Sequence, residues 1–224
     1  MNRLRNLFYA TFILDNRYVF FLDGLKNTLI LTFVSFLLGA TFGVLLCAAG
    51  RSGNASVRKI SQILSYILVE IPTMVLLMIF VYILFGKSSL PVLVIVAVGL
   101  TLKAGAYLST IFRAALDTVE PGELEAARTL GMSRWKAFRY VSLPQAAAAA
   151  LPLCKNQFVN TMQETSVVGY LAVMDLTRAS SVVSTRTMNA LFGLLFVTAA
   201  YFLMGALVKA LMGVLVKKGG GFPV

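Results

Sequence analysis

The sequence predicts an all-α, polytopic membrane protein, and three observations carry that expectation. Mean hydropathy is +0.83, with 58% of the 224 residues apolar and 13% charged, far from the balance of a soluble domain. Four apolar stretches nearly free of charge each approach the roughly 20 helical residues that a hydrocarbon core demands. Between them the charges gather into short segments, the longest of which is amphipathic.

Residues 4–22 are expected to form an interfacial helix, because Phe8, Tyr9, Phe12, Tyr18, Phe20 and Phe21 suit the headgroup region. Asp15, Asn16 and Arg17 follow the first apolar run without a small-residue cleavage site, which argues against a signal peptide. Asp23-Gly24 is expected to break the helix. This divides the chain into an N-terminal segment 1–23, a membrane domain 24–216 and a C-terminal tail 217–224. The expected spans are 29–49, 63–85 with Glu70, 90–112 with Lys103, and 188–208. A fifth, more polar span covers 145–173. There, alanines 146–150 favour helix, and Asn156, Asn160 and then Gln163 or Glu164 recur as one stripe. Lipid cannot satisfy amides or a carboxylate, so this stripe must face protein or water.

The amphipathic segment spans 123–145. Pro121 with Glu123 and Glu125 marks a helix start, and Gly131 stands where that helix stops. Ser133 is expected to cap a second short helix with Trp135, Phe138 and Val141 on one side and Arg134, Lys136 and Arg139 over the rest, before Pro144 opens the next apolar region. Two short helices at a membrane surface suggest a docking site.

Composition also excludes function classes. The formal charge of +11 is dispersed along membrane flanks, which suits lipid headgroups better than nucleic acid. There is no histidine, and Cys47 and Cys154 both lie in apolar stretches, so no metal site, disulfide framework or enzyme constellation stands out. Gly86-Lys87-Ser88 lacks the earlier glycine and the strand context of a phosphate loop and reads as a turn. With the amino end outside, Arg51, Arg58, Lys59, the basic residues from Arg113 to Arg139, Lys217 and Lys218 fall on the cytoplasmic side.

Glu125-Ala126-Ala127, Gly131 and Val141-Ser142-Leu143-Pro144 reproduce the spacing of a cytoplasmic loop motif. In this the chain resembles the permease subunits of binding-protein-dependent ABC importers. Ala106-Tyr107, Arg113, Pro121-Gly122, Gln145, Leu151-Pro152, Asn156, Thr165-Ser166, Gly169 and Asp175-Leu176-Thr177-Arg178 look like the polar amino acid uptake branch. The resemblance runs from about Gly24 to the end of the last span. It implies a five-span subunit of the bacterial inner membrane, with the amino end outside and the carboxyl end cytoplasmic, paired with a second permease subunit, identical or homologous. It also implies partner ATPases that bind ATP and Mg, an extracytoplasmic solute-binding protein, and no cofactor or ATPase site in this chain. The motif loop, about 117–144, corresponds to the coupling helix. Gly122, Glu123, Glu125, Ala126, Ala127, Gly131, Leu143 and Pro144 are the residues expected to serve it. Glu125 is expected to meet the helix dipole, Ala126 and Ala127 to let the ATPase approach, and Pro144 to act as the joint to the polar span.

The sequence departs from that branch at Val69-Glu70-Ile71 before Pro72, at Lys103 and at Gln163. Glu70 and Lys103 are expected to lie at similar depth, about 10 to 14 Å in, and to form an ion pair, since each charge alone is costly there. Asn156, Asn160, Gln163, Glu164 and Tyr107 are expected to line a substrate path, with Ser109 beside Tyr107 completing a gate. A methionine-type permease is the nearest alternative, disfavoured by Asp175-Leu176-Thr177-Arg178. An ATP-independent channel or carrier is a second, for which no filter motif or discontinuous-helix repeat is present.

Overall fold

The computed structural model describes residues 2–219, and among them every regular element is helical. Helix α1 (Asn2–Phe8) runs into a π turn (Tyr9–Ile13) and a 3-10 turn (Leu14–Asn16). Asp15 and Asn16 both have a φ of 53°, a left-handed conformation that short polar side chains tolerate. Buried Arg17 closes the reversal by donating to the Ala10 carbonyl at 2.7 Å and to Asp15 at 3.2 Å. The chain therefore turns at Asp15-Asn16, and the expected break at Asp23-Gly24 does not occur. Helix α2 (Tyr18–Gly50) passes through both residues as one 33-residue element. Gly24 serves packing instead, because a Cβ there would meet the Asp175 carbonyl oxygen at 2.6 Å.

The second span is broken. Helix α3 (Ala55–Glu70) starts on an Asn54 cap, whose side chain accepts from the Ser56 and Val57 amides. It ends where Ile71 and Pro72 become extended, and the chain then bends by 107° into α4 (Thr73–Met78) and a π turn (Ile79–Leu84). Proline supplies no amide to the last turn of α3 and disfavours helix at the residue before it, so the sequence forces the break. Residues 86–88 form the expected turn ahead of α5 (Val92–Asp117).

Two short helices follow, α6 (Pro121–Thr129) and α7 (Arg134–Ala137), then a π turn (Phe138–Ser142), α8 (Leu143–Glu164) and a 3-10 segment (Thr165–Leu171). Helix α9 (Leu176–Thr187) lies in a region where the sequence reading expected no element. Asp175 caps it, accepting from the Thr177 and Arg178 amides. Helix α10 (Leu191–Gly219) is the last element among the described residues. Of the tail expected at 217–224, residues 220–224 lie outside the described residues. Helices α2, α5 and α10 are each long and apolar enough to cross a membrane, and the bent pair makes a fourth such unit. Helix α8, the polar segment of the sequence reading, has 22 residues, or about 33 Å of rise.

The principal packing is α2 against α5 along a seam of small residues. A Cβ on Gly43 would meet the Gly105 carbonyl oxygen at 2.8 Å, and one on Gly105 would meet the Gly39 carbonyl oxygen at 2.8 Å. Between membrane helices, where apolar burial gives no drive, such close backbone approach is what holds the pair. We expect Gly43→Val to overpack this seam and cost roughly 1 to 3 kcal/mol. It should lower the melting temperature of the detergent-purified protein, whereas Gly53→Ala, in open space, should not.

Candidate functional site

The break in the second span frees backbone carbonyls inside the membrane domain, and Lys103 answers them. Its side chain is buried, and its Nζ donates to the carbonyls of Leu68 at 3.5 Å and Val69 at 3.4 Å, and to that of Ile71. Tyr107, one turn further along α5, donates its hydroxyl to the same Val69 carbonyl at 3.5 Å. The ammonium stands 5.7 Å from the centre of the Tyr107 ring. The expected Glu70–Lys103 ion pair is not formed. Glu70 is exposed at the end of α3, and the two ion pairs among the described residues are Arg17–Asp15 and Arg51–Asp117. A lysine that already has three carbonyl acceptors does not need a carboxylate, so the physical reason for the pair is absent.

On the other side of the break, Thr73 opens α4 and donates its hydroxyl to Glu164 Oε1 at 3.1 Å. Glu164 Oε2 is buried without a hydrogen-bond partner. The two residues border a cavity of about 390 Å³ that is also lined by Tyr107, Gln157, Asn160, Gln163 and Val167. Four of the five residues expected to line a path therefore converge there. Asn156 does not, because it is turned about 100° from Gln157 on α8 and stays exposed. Ser109 is also elsewhere. It is buried between α3 and α5, bonded to Ser65 at 3.1 Å, to the Ala106 carbonyl and to Arg113. Thr73, Gln157 and Val167 line the cavity without having been expected from the sequence. Spacings of three and four connect 157, 160 and 164 as well as they connect 156, 160 and 163, so the signal for Gln157 was present.

The surface segment has the local chemistry its sequence predicts. Pro121 is the first residue of α6, and Gly131 has a φ of +84°, where a side chain is strained. Ser133 accepts from the Lys136 amide to cap α7. Three details differ. Glu123, not Glu125, occupies the first turn of α6, and it accepts a hydrogen bond from Gln145. Ala126 is exposed, but Ala127 is buried inside the chain and leaves no room for an approaching partner. At Pro144 the backbone does not leave the helix, since it stays helical from Arg134 through the π turn into α8, which absorbs the missing proline amide. Gly122 and Glu125 are exposed. Leu143 is half exposed and borders an apolar groove with Phe138 and Ala147. Leu130 at 81%, with Trp135 and Tyr140 at 66% each, are the most exposed large apolar side chains of this segment.

Membrane helices, a broken span beside a polar cavity and a capped surface helix pair define a transport subunit. Residues 35–219 match the family described as the inner membrane component of binding-protein-dependent transport systems. The chain belongs to that family. It is 28% identical over 204 residues to a Rickettsia typhi protein designated a glutamine transport system permease, GlnP, covering 89% of this chain and 93% of that one. It is 30% identical over 175 residues to the nopaline transport system permease protein NocQ of Agrobacterium fabrum, covering 70% and 73%. Among solved structures it resembles an amino acid ABC transporter crystallised with histidines, with a TM-score of 0.83, 28% identity and coverage of 90% and 94%. The MetNI methionine transporter shares the fold at a TM-score of 0.77 and 20% identity.

Because Glu70 is exposed and Lys103 rests on carbonyls, we expect Glu70→Gln to leave thermal stability within about 0.5 kcal/mol of the native protein. Lys103→Glu should prevent assembly, and adding Glu70→Lys should not restore it. Recovery in that double variant, read by size-exclusion chromatography, would show an ion pair after all.

Proposed function

We propose that this chain is the membrane-spanning subunit of an ABC importer that carries a polar amino acid across the bacterial inner membrane by alternating access. The observation that carries the reading is the cavity at the broken second span. It is lined by amides and hydroxyls, with one carboxylate oxygen buried and unpartnered. Such a set matches the donors and acceptors of an amino acid, and Glu164 meets its ammonium or another cationic group. Tyr107, Asn160 and Gln163 complete the lining. The relatives named for glutamine and nopaline support the substrate class.

The surface segment is the coupling element, with Gly122, Glu123, Glu125, Ala126, Gly131 and Leu143 at or near the contact with an ATPase subunit that binds ATP and Mg. Exposed Leu130 and Trp135 supply the apolar anchors that such contacts favour. Asn156, Asn160 and Gln163 are open on the lone chain. Lipid cannot satisfy them, so a second permease subunit covers this face. A binding protein delivers the solute to the outer side, where the amino end lies, and the carboxyl end is cytoplasmic.

In proteoliposomes containing the complete importer, Glu164→Gln should reduce uptake at least tenfold without loss of assembly. Gly131→Val strains a left-handed position by about 1 to 2 kcal/mol and should abolish uptake while the complex still forms and hydrolyses ATP. Uptake that persists without ATP, or that ignores both substitutions, overturns the proposal.

A further inference from the structure

Resting on the proposal that the cavity holds the solute, the structure also bears on what charge that solute carries. Glu164 is the only formally charged residue of the lining. In its ionised form it gives the cavity a charge of −1 and a preference for cations. Lys103 stands behind the wall, its ammonium 5.7 Å from the ring centre of the lining residue Tyr107. The carbonyls of Leu68, Val69 and Ile71 solvate that ammonium, but they are dipoles and leave its unit charge intact. Glu70 is exposed at the end of α3, away from the lining of the cavity.

We propose that Lys103 is a specificity residue: with Glu164 it brings the cavity to zero net charge, so the site favours a neutral, zwitterionic amino acid over a cationic one. A solute with no net charge enters without disturbing that balance, whereas a cationic side chain adds an uncompensated charge where water is scarce. The rest of the lining agrees. Gln157, Asn160 and Gln163 present amides, and Thr73 a hydroxyl, groups that pair with a carboxamide or hydroxyl side chain through both donors and acceptors. Lys103 touches no solute in this arrangement and acts through its field.

The test is direct binding of labelled glutamine and labelled arginine to the purified permease–ATPase complex without its binding protein, so that the cavity's own preference is read. The native complex should bind glutamine more tightly. Lys103→Gln keeps two N–H donors for the carbonyls but removes the charge, and it should raise the arginine-to-glutamine affinity ratio about tenfold or more. Lys103→Arg keeps the charge and should leave the ratio near the native one. The proposal is overturned if the native complex prefers arginine, or if the ratio moves less than twofold in Lys103→Gln. Should Lys103→Gln fail to assemble, the native preference decides. If neither amino acid binds and Glu164→Gln leaves uptake unchanged, the cavity assignment fails and takes this inference with it. If Glu164→Gln weakens binding while Lys103→Gln does not shift the ratio, only the charge balance fails.

Discussion

A chain that stops being helical inside a bilayer must find new donors for the carbonyls it frees, because lipid offers none. Ile71-Pro72 creates that demand, and Lys103 meets it from the neighbouring helix with one ammonium on three carbonyls. The rest of the site follows from this contact. With α3 ended and capped, the chain can bend by 107°, and the first residue beyond the bend, Thr73, arrives at Glu164. The cavity exists because two halves of one span point in different directions.

The bend in turn depends on a rigid wall. Lys103 and Tyr107 sit on α5 next to Gly105, where α2 approaches backbone to backbone through Gly39 and Gly43. Close packing of this kind leaves little freedom for α5 to rotate, so the ammonium is presented at a fixed height. The seam and the cap are neighbours on one helix, one facing α2 and the other facing the break.

Much of the fold was legible because its signals are local. Pro121, Gly131 and Ser133 each do what cap and turn chemistry requires, and three of the four apolar stretches, all but 63–85, became long helices. The misses share another cause. The sequence displays acids and bases as letters, so Lys103 was paired with Glu70, whereas its true partners are carbonyls that every residue possesses. Gly24 was read as a breaker because glycine usually breaks helices, yet here its missing Cβ lets α2 touch the Asp175 backbone. Helix α9 carried a visible cap at Asp175, but it lies between the expected spans 145–173 and 188–208, where no element was assigned. Of the cavity, the α8 residues could be read from periodicity, but Thr73 could not, since its position depends on the size of a bend that no spacing encodes.

The π turn at Phe138–Ser142 has one further consequence. The helical backbone runs unbroken from Arg134 to Glu164, about 46 Å of rise, so the surface segment and one wall of the cavity belong to a single continuous helix. A π turn is in effect an inserted residue and advances everything beyond it by about 100° around the axis. The angular phase between Trp135 at one end and Asn160 and Glu164 at the other is therefore set by a single extra residue. Sequences that differ only in the presence of that residue would share both surfaces and yet present them in unrelated directions, so the turn acts as the key that indexes one end of the rod to the other.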